Sequence, residues 1–293
     1  MNKVRIYSSH CSFADYIIWQ FNSFKKFIKD DYEFIVINDA SNEPNFINGF
    51  TYGSRNKIIE VCQELNIKCI EFDEKLHYNR TILFPNTNDF NINPSTRASD
   101  VIQYTIYHSN GFNGIVVSIH NDIFLTSEFN FNEYMKDYNI AFLPQSRPGI
   151  SEYPWDALLI MKPNELPSYG EINMDCGTCN NITVDVGGNG YTYLEKYRDS
   201  LKIRRISGGR FFDVSKDITV NTINELNCSE HIKEILRNMV PEFGMLETIK
   251  IFIEFYENCF YHFRSGSNWD TIDNNKLNKR IQILYHYFNK YIS

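Results

Sequence analysis

No stretch of this chain approaches ~18 consecutive apolar residues, so a helical membrane span is not expected. Positive charge is not in surplus either. Across 293 residues, Lys plus Arg number 29 against 36 Asp plus Glu, a formal net charge of −7. That balance argues against a broad nucleic-acid surface, and no nucleic-acid partner is expected. A local site can still hold an anion. Cysteine is too sparse for a disulfide framework: there are seven, an odd number, spread over the whole length. Cys176-Gly177-Thr178-Cys179 is the one CxxC, and no second pair stands where a structural zinc would need it. These thiols read as ordinary and reduced. The start, Met1 to Ser12, carries two early basic residues but no apolar signal core, so a cytoplasmic protein is expected. The sequons at Asn79, Asn181 and Asn227 would then stay unmodified. Internal repeats and flexible interdomain linkers are also missing.

What the chain does have is apolar and aromatic bulk. The hydrophobic set makes up 43% and the aromatics 15%, with 19 Tyr and 23 Phe. Such a chain folds rather than staying disordered, and its length permits a sizeable core. Val4 to Tyr7 reads as a strand. Ser12 is a fitting N-cap for a helix carrying Phe13, Ile17, Phe21, Phe24 and Ile28 at helical spacing. Glu33 to Asn38 is a continuous apolar run, the signature of a parallel strand buried on both faces. The first 44 residues thus read as a βαβ unit. Asn56 to Leu65 suits a second helix, Ile67 to Phe72 a third strand, and residues 77–94 an irregular, mobile loop. A helix opening at Pro94, with Ser95 as its N-cap, runs to His108. Ile115 to Ile119 is the clearest buried strand. Ile140 to Leu143 and Trp155 to Met161 read as strands, and Tyr191 to Tyr197 as a helix. The last third reads as helical, with three stripes: Ile232/Ile235/Leu236/Met239, Met245/Ile249/Phe252/Tyr256 and Leu277/Ile281/Leu284/Phe288.

The segment that carries chemistry is Ile115-Val116-Val117-Ser118-Ile119-His120-Asn121-Asp122-Ile123-Phe124-Leu125. A polar triplet breaks two apolar runs at a strand end, where open α/β sheets bind ligands. Alternation sends His120 and Asp122 to the same side if the extended geometry persists. A carboxylate and an imidazole together suit a divalent metal. This pattern resembles the metal-binding DxD segment of GT-A glycosyltransferases, with His120 standing where the family has its first acidic residue. Downstream, His262, Gly266 and Trp269 in the run Tyr261 to Trp269 resemble the C-terminal histidine, glycine and tryptophan of some GT-A enzymes.

The resemblance implies a mixed α/β, Rossmann-like fold with a mainly parallel central sheet flanked by helices and a helical C-terminal extension. Residues 1–270 would form the glycosyltransferase domain and 271–293 a helix packed on it. It implies Mn²⁺, or Mg²⁺, held by Asp122, His262 and His120. Ser8, Ser9 and His10 after the first strand, Asp39 after the second, Arg97, Asn121, Arg264 and Gly266 would contact the nucleotide-sugar donor. On the residues alone, Arg97 can instead pair with Asp100 on the surface. Asp185 and Asp156 are candidate general bases for a glycan or other hydroxyl acceptor. Asp156 can equally be a helix or turn cap. Trp155, Tyr191 and Trp269 would line the acceptor site. The implied activity is metal-dependent hexosyl transfer from a nucleotide-diphosphate sugar, UDP-sugar favoured. Val184-Asp185-Val186-Gly187-Gly188-Asn189-Gly190 also resembles the cofactor loop of FkbM-type S-adenosylmethionine methyltransferases, although the βαβ units precede it. A third reading is a GT-A-like fold that has lost catalysis and only binds a nucleotide or glycan.

Overall fold

The computed structural model describes residues 2–11, 13–40, 54–87, 91–213, 220–225, 229–230, 233–234, 236–237 and 252–264. They fall into two compact units. The first comprises Met1–Ile17, Lys29–Asn121 and Asn130–Ile206; the second comprises Ile18–Ile28, Asp122–Phe129 and Ser207–Ser293.

The chain begins with β1 (Lys3–His10), α1 (Asp15–Phe27), β2 (Tyr32–Asn38), α2 (Ser54–Glu64), β3 (Lys68–Glu71), a short α3 (Lys75–Tyr78) and α4 (Pro94–His108). It continues through β4 (Gly114–His120), β5 (Ile123–Leu125), α5 (Phe131–Tyr134), β6 (Ile140–Arg147) and β7 (Ile150–Met161). The small hairpin β8 (Gly177–Cys179) and β9 (Ile182–Val184) precedes α6 (Gly190–Lys196) and β10 (Ile203–Arg205). After these come β11 (Gly208–Asp213), α7 (Val220–Asn224), β12 (Phe252–Tyr256) and β13 (Phe260–Arg264).

The first unit is built on a seven-stranded sheet in the order β10-β6-β7-β4-β1-β2-β3. All of its strands run in one direction except β7, which is antiparallel to both β4 and β6. The mixed, mainly parallel sheet that the resemblance implies is therefore present. Six of the seven residues of β4 are buried, because a central parallel strand is covered on both faces. Tyr7, Ile35, Ile37, Val116, Phe142, Leu159 and Met161 of the sheet pack with Val101, Ile102 and Ile106 of α4 in one core cluster.

Several local expectations change. The N-cap of α4 is Asn93, not Ser95: its side chain accepts from the Ser95 and Thr96 amides, while its own N–H donates to Thr96 Oγ1. Pro94 accounts for this, since proline favours the first helical position and makes the residue before it the cap. Residues 77–94 are not simply irregular. They include the end of α3 and a 3-10 turn at Arg80–Ile82, pinned by fully buried His77 and Arg80. Ser12 lies outside the described residues.

The second unit holds a four-stranded antiparallel sheet in the order β11-β12-β13-β5. Trp19 meets Phe124 edge to face, and Phe129 meets Phe260. Gln20 and Ser23 bond the backbone of β5 at Ile123 and Leu125. The expectation that the last third is helical is corrected at the second stripe. Phe252 and Tyr256 belong to a strand, not to a helical stripe. Glu257 and Asn258 take left-handed backbone (φ 50° and 54°) and turn the chain from β12 into β13. The residues of 271–293, and the Met245/Ile249 and Leu277-to-Phe288 stripes, lie outside the described residues. No described helix is long and apolar enough to cross a membrane.

Candidate functional site

Because β1, β2 and β4 are parallel neighbours, their carboxyl ends form one edge. Ser9 is in register with His120 and Ile37, and His10 with Asn38. Ser8, Ser9 and His10 were expected in the loop after the first strand; they are the last residues of β1 itself. Hydrogen bonding to both β2 and β4 keeps the strand extended to His10. Ser8 and His10 are fully buried and bond each other, Ser8 Oγ to His10 Nε2 at 3.1 Å.

His120 closes β4 with its side chain 25% exposed, and its Nε2 lies 2.7 Å from Asp156 Oδ2. Asp156 is buried within β7, so it is neither a helix cap nor a turn cap. Trp155, its neighbour, meets the His120 ring edge-on with centroids 6.4 Å apart. Asn121 is buried at the turn that follows.

Within the second unit, Asp122 and His262 come together, although 140 positions separate them. His262 Nε2 is 3.3 Å from Asp122 Oδ1, and both side chains are 2% exposed. The β13 backbone holds this register, with the Phe263 N–H donating to the Asp122 carbonyl. The other imidazole nitrogen, Nδ1, sits 2.5 Å from the Tyr256 hydroxyl and 3.2 Å from Glu254 Oε2. Tyr256 donates in turn to Glu254, at 2.5 Å. Glu254, Tyr256 and His262 share one face because β12 alternates and Glu254 is paired with His262 across the hairpin. With the Tyr256 proton given to Glu254, Nδ1–H is the donor on this side. Nε2 then faces a carboxylate oxygen, and in the neutral ring it turns a lone pair toward it.

Two acceptors facing each other are satisfied by a shared proton or a shared cation. The separation suits a cation, since two adjacent ligands with bonds of ~2.1 Å stand about 3.0–3.5 Å apart around a first-row metal. Asp122 and His262 each offer one ligand atom for such an ion. Glu254 and Tyr256 supply the outer hydrogen bonds that orient a metal-binding histidine. Neither was singled out in the sequence. The alternation Glu254-Phe255-Tyr256 was the available signal. Arg264 ends β13, paired in register with Phe252. Gly266 and Trp269 lie outside the described residues.

Asp39 and Arg97 belong to a buried network in the first unit. Arg97 Nη2 donates to Asp39 Oδ2 at 2.7 Å and to its carbonyl at 2.5 Å. The surface pairing of Arg97 with Asp100 does not occur, because both side chains are buried and each has another partner. His77 bridges Asp39 Oδ1 and Asp100 Oδ2, at 2.8 Å each. Arg80 bridges Asp100 Oδ1 at 2.7 Å and Asp175 Oδ1 at 2.5 Å. Burial pulls the His77 imidazole down, but the charge of Asp39 and the bonds to Asp100 and Asp39 outweigh it and lift it to about 9. Burial also raises the Asp100 carboxyl against the opposing pull of His77 and Arg80. His77, Arg80, Asp100 and Asp175 carried no expectation from sequence. Their role appears only when segments far apart in the chain pack together.

On the opposite flank, Asp185 is half-buried and its Oδ1 accepts from the Val186 N–H at 2.9 Å. Tyr191 packs on a small cluster of Ile150, Tyr153, Cys179 and Val184. The glycine run between them has a packing cause. Gly187 has φ +83°, and a Cβ there would stand 1.9 Å from the Pro154 carbonyl oxygen. A Cβ on Gly188 would strike Val184, and one on Gly190 the Pro154 ring. These glycines admit the neighbouring β7 and β9, which removes the support for a cofactor loop in the methyltransferase reading. Cys176 and Cys179 are buried and not joined in a disulfide.

Neither a family model nor a curated protein matches the chain. Solved structures do. A glucosyl-3-phosphoglycerate synthase from Mycobacterium tuberculosis, in complex with phosphoglyceric acid, is 11% identical over 70% of this chain and 69% of that one, with a TM-score of 0.36. A mannosyltransferase from Pyrobaculum calidifontis, in complex with GDP-Man and Mn²⁺, is 10% identical over 97% of this chain and 74% of that one, with a TM-score of 0.41. A mycobacterial protein is 12% identical over 70% and 64%, with a TM-score of 0.37. TM-scores of this size fix no shared activity.

Proposed function

We propose that this chain is a metal-dependent glycosyltransferase of GT-A type, moving a sugar from a nucleotide-diphosphate donor to a hydroxyl acceptor. The observation that carries the reading is the buried Asp122–His262 pair, 3.3 Å apart, with the far nitrogen of His262 held by Tyr256 and Glu254. Asp122 and His262 would hold Mn²⁺, or Mg²⁺. The resemblance adds His120, two positions ahead of Asp122 in the chain, as a third ligand. Two imidazoles and a carboxylate favour Mn²⁺ over Mg²⁺, which prefers oxygen ligands. A bound divalent ion offsets negative charge on a diphosphate leaving group.

The chain's own residues supply the rest. Asp156 fixes the rotation of the His120 ring and acts on chemistry through it. That leaves Asp185 as the acceptor-side carboxylate able to take a hydroxyl proton, with Trp155 and Tyr191 as aromatic surfaces for a sugar. Arg97 orients the Asp39 carboxylate toward the base or ribose of the donor, at the end of β2. Ser8, Ser9, His10 and Asn121 line the same strand edge. Arg264, Gly266 and Trp269 are proposed for donor phosphate and acceptor contacts from the resemblance alone. UDP-sugars are the favoured donors, and hexosyl transfer the favoured reaction.

The test is a screen of UDP-, GDP- and ADP-sugars by calorimetry and donor hydrolysis, with and without Mn²⁺. Mn²⁺-dependent binding with turnover is expected. Binding without turnover would favour a protein that has lost catalysis, and binding of S-adenosylmethionine with no response to nucleotides would overturn the reading.

A further inference from the structure

A cavity of about 330 Å³ opens in the first unit between the segment ahead of α4, the run 173–178 and the turn before α6. None of its lining residues was a candidate from sequence. Asn86, Asn173, Asp175, Cys176, Thr178 and Asn189 are among them. The wall is thus made chiefly of amides and hydroxyls. No lysine or arginine lines it among the described residues.

Three of the polar side chains have a definite capacity left for a ligand. Asn173 accepts the Asp175 N–H through Oδ1 at 2.8 Å, which leaves its two amide protons as donors. Asn189 spends its Nδ2 on the carbonyls of Asp175 and Cys176, at 3.3 and 3.2 Å, which leaves Oδ1 as an acceptor. Asp175 is 4% exposed on the floor. Its Oδ1 receives Arg80 Nη2 at 2.5 Å and the Cys176 N–H at 3.0 Å, so Oδ2 is a strong acceptor whose charge is already offset from behind. Asn86 and Thr178 bring an exposed amide and hydroxyl to the rim.

We infer that this cavity is a binding site for an uncharged, polyhydroxylated ligand, that is, a neutral saccharide unit. Vicinal hydroxyls donate and accept at once, and so do the amides here. A carboxylate with a paired charge accepts from two neighbouring hydroxyls without demanding a cation. An anionic ligand fits poorly, because the buried Arg80 is already shared between Asp100 and Asp175. The site needs neither metal nor nucleotide and so stands independently of the transfer reading.

The experiment is saturation-transfer NMR on the full chain in EDTA, without nucleotide. The probes are methyl glucoside, methyl mannoside, methyl galactoside and N-acetylglucosamine, each set against its 6-phosphate at equal ionic strength. At least one neutral sugar is expected to bind, and its phosphate to bind more weakly. Asn173→Ala and Asn86→Ala should each weaken that sugar by about tenfold, the loss of one or two hydrogen bonds. Thermal melts confirm that the variants are folded. Asp122→Ala should leave saccharide binding unchanged, which separates this site from the proposed metal site. Preferential binding of the phosphates, insensitivity to both Asn variants, loss of binding in Asp122→Ala or no binding by the folded protein would each overturn the inference.

Discussion

Two buried polar clusters, one in each unit, are composed differently. The cluster in the first unit sets Arg97, His77 and Arg80 against Asp39, Asp100 and Asp175, and the six groups alternate along one chain of ion pairs. The cluster on the β12–β13 hairpin gathers two carboxylates and a phenol around a single imidazole. The first balances its own charges and ties segments distant in the chain to one another. The second aims a carboxylate oxygen and an imidazole nitrogen at a common point. Balanced buried charge makes scaffold; converging acceptors make a ligand set.

Four experiments break or sharpen this contrast. Arg80→Ala should act on the scaffold. It leaves Asp100 and Asp175 buried without their shared cation, and about 3–5 kcal/mol of stability should be lost in urea melts. A loss below about 1 kcal/mol would show that the network contributes little. Asp122→Ala should act on chemistry instead. Turnover of a nucleotide-sugar donor is expected to fall by about 10²–10³-fold, with the melting temperature nearly unchanged. Mn²⁺ response equal to wild type would remove Asp122 from the ligand set.

pH separates the clusters next. The folded-state pKa of His77 is raised to about 9 from an ordinary 6.5. Its contribution to stability is therefore full below about pH 6.5 and lost as pH rises through about 9, an effect of about 3 kcal/mol. Urea midpoints measured between pH 6 and 10 should show that fall in the wild type. His77→Gln should lack it, and equal slopes would refute the assignment. The smallest effect is expected from Glu254→Gln, which weakens the hold on His262 Nδ1. Mn²⁺ affinity should drop by about 10–100-fold in a calorimetric titration, without loss of fold.

Legibility from sequence tracked the range of the interaction. Strands β1, β2 and β4 and helices α1, α2 and α4 were readable because continuous apolar runs and 3.6-residue spacing are local signals. The edge carrying His120 was readable too, since a polar triplet interrupts two apolar runs. The β12–β13 hairpin was misread. Met245, Ile249, Phe252 and Tyr256 recur at helical spacing, while the alternation of Glu254, Phe255 and Tyr256 is only three residues long. The cap of α4 was misplaced by two residues because Ser95 is a good cap type, but Pro94 already takes the first helical position. The loop before α4 looked structureless because its order depends on His77 and Arg80, whose partners lie as far away as Asp175.

The sequence alone determined the class of the fold, the strand end at which a ligand would meet the sheet, and the pairing of Asp122 with a distant histidine as a candidate. The first two follow from apolar periodicity and side-chain chemistry, which neighbouring residues carry; the Asp122–His262 pairing came only from the resemblance to GT-A enzymes. Only the tertiary structure decided which carboxylate answers which cation, that Asp156 holds His120, that Tyr256 and Glu254 stand behind His262, and that Asn-rich segments enclose a polar cavity. Those outcomes depend on which segments, distant in the chain, become neighbours when the apolar core closes, and local sequence does not encode that arrangement.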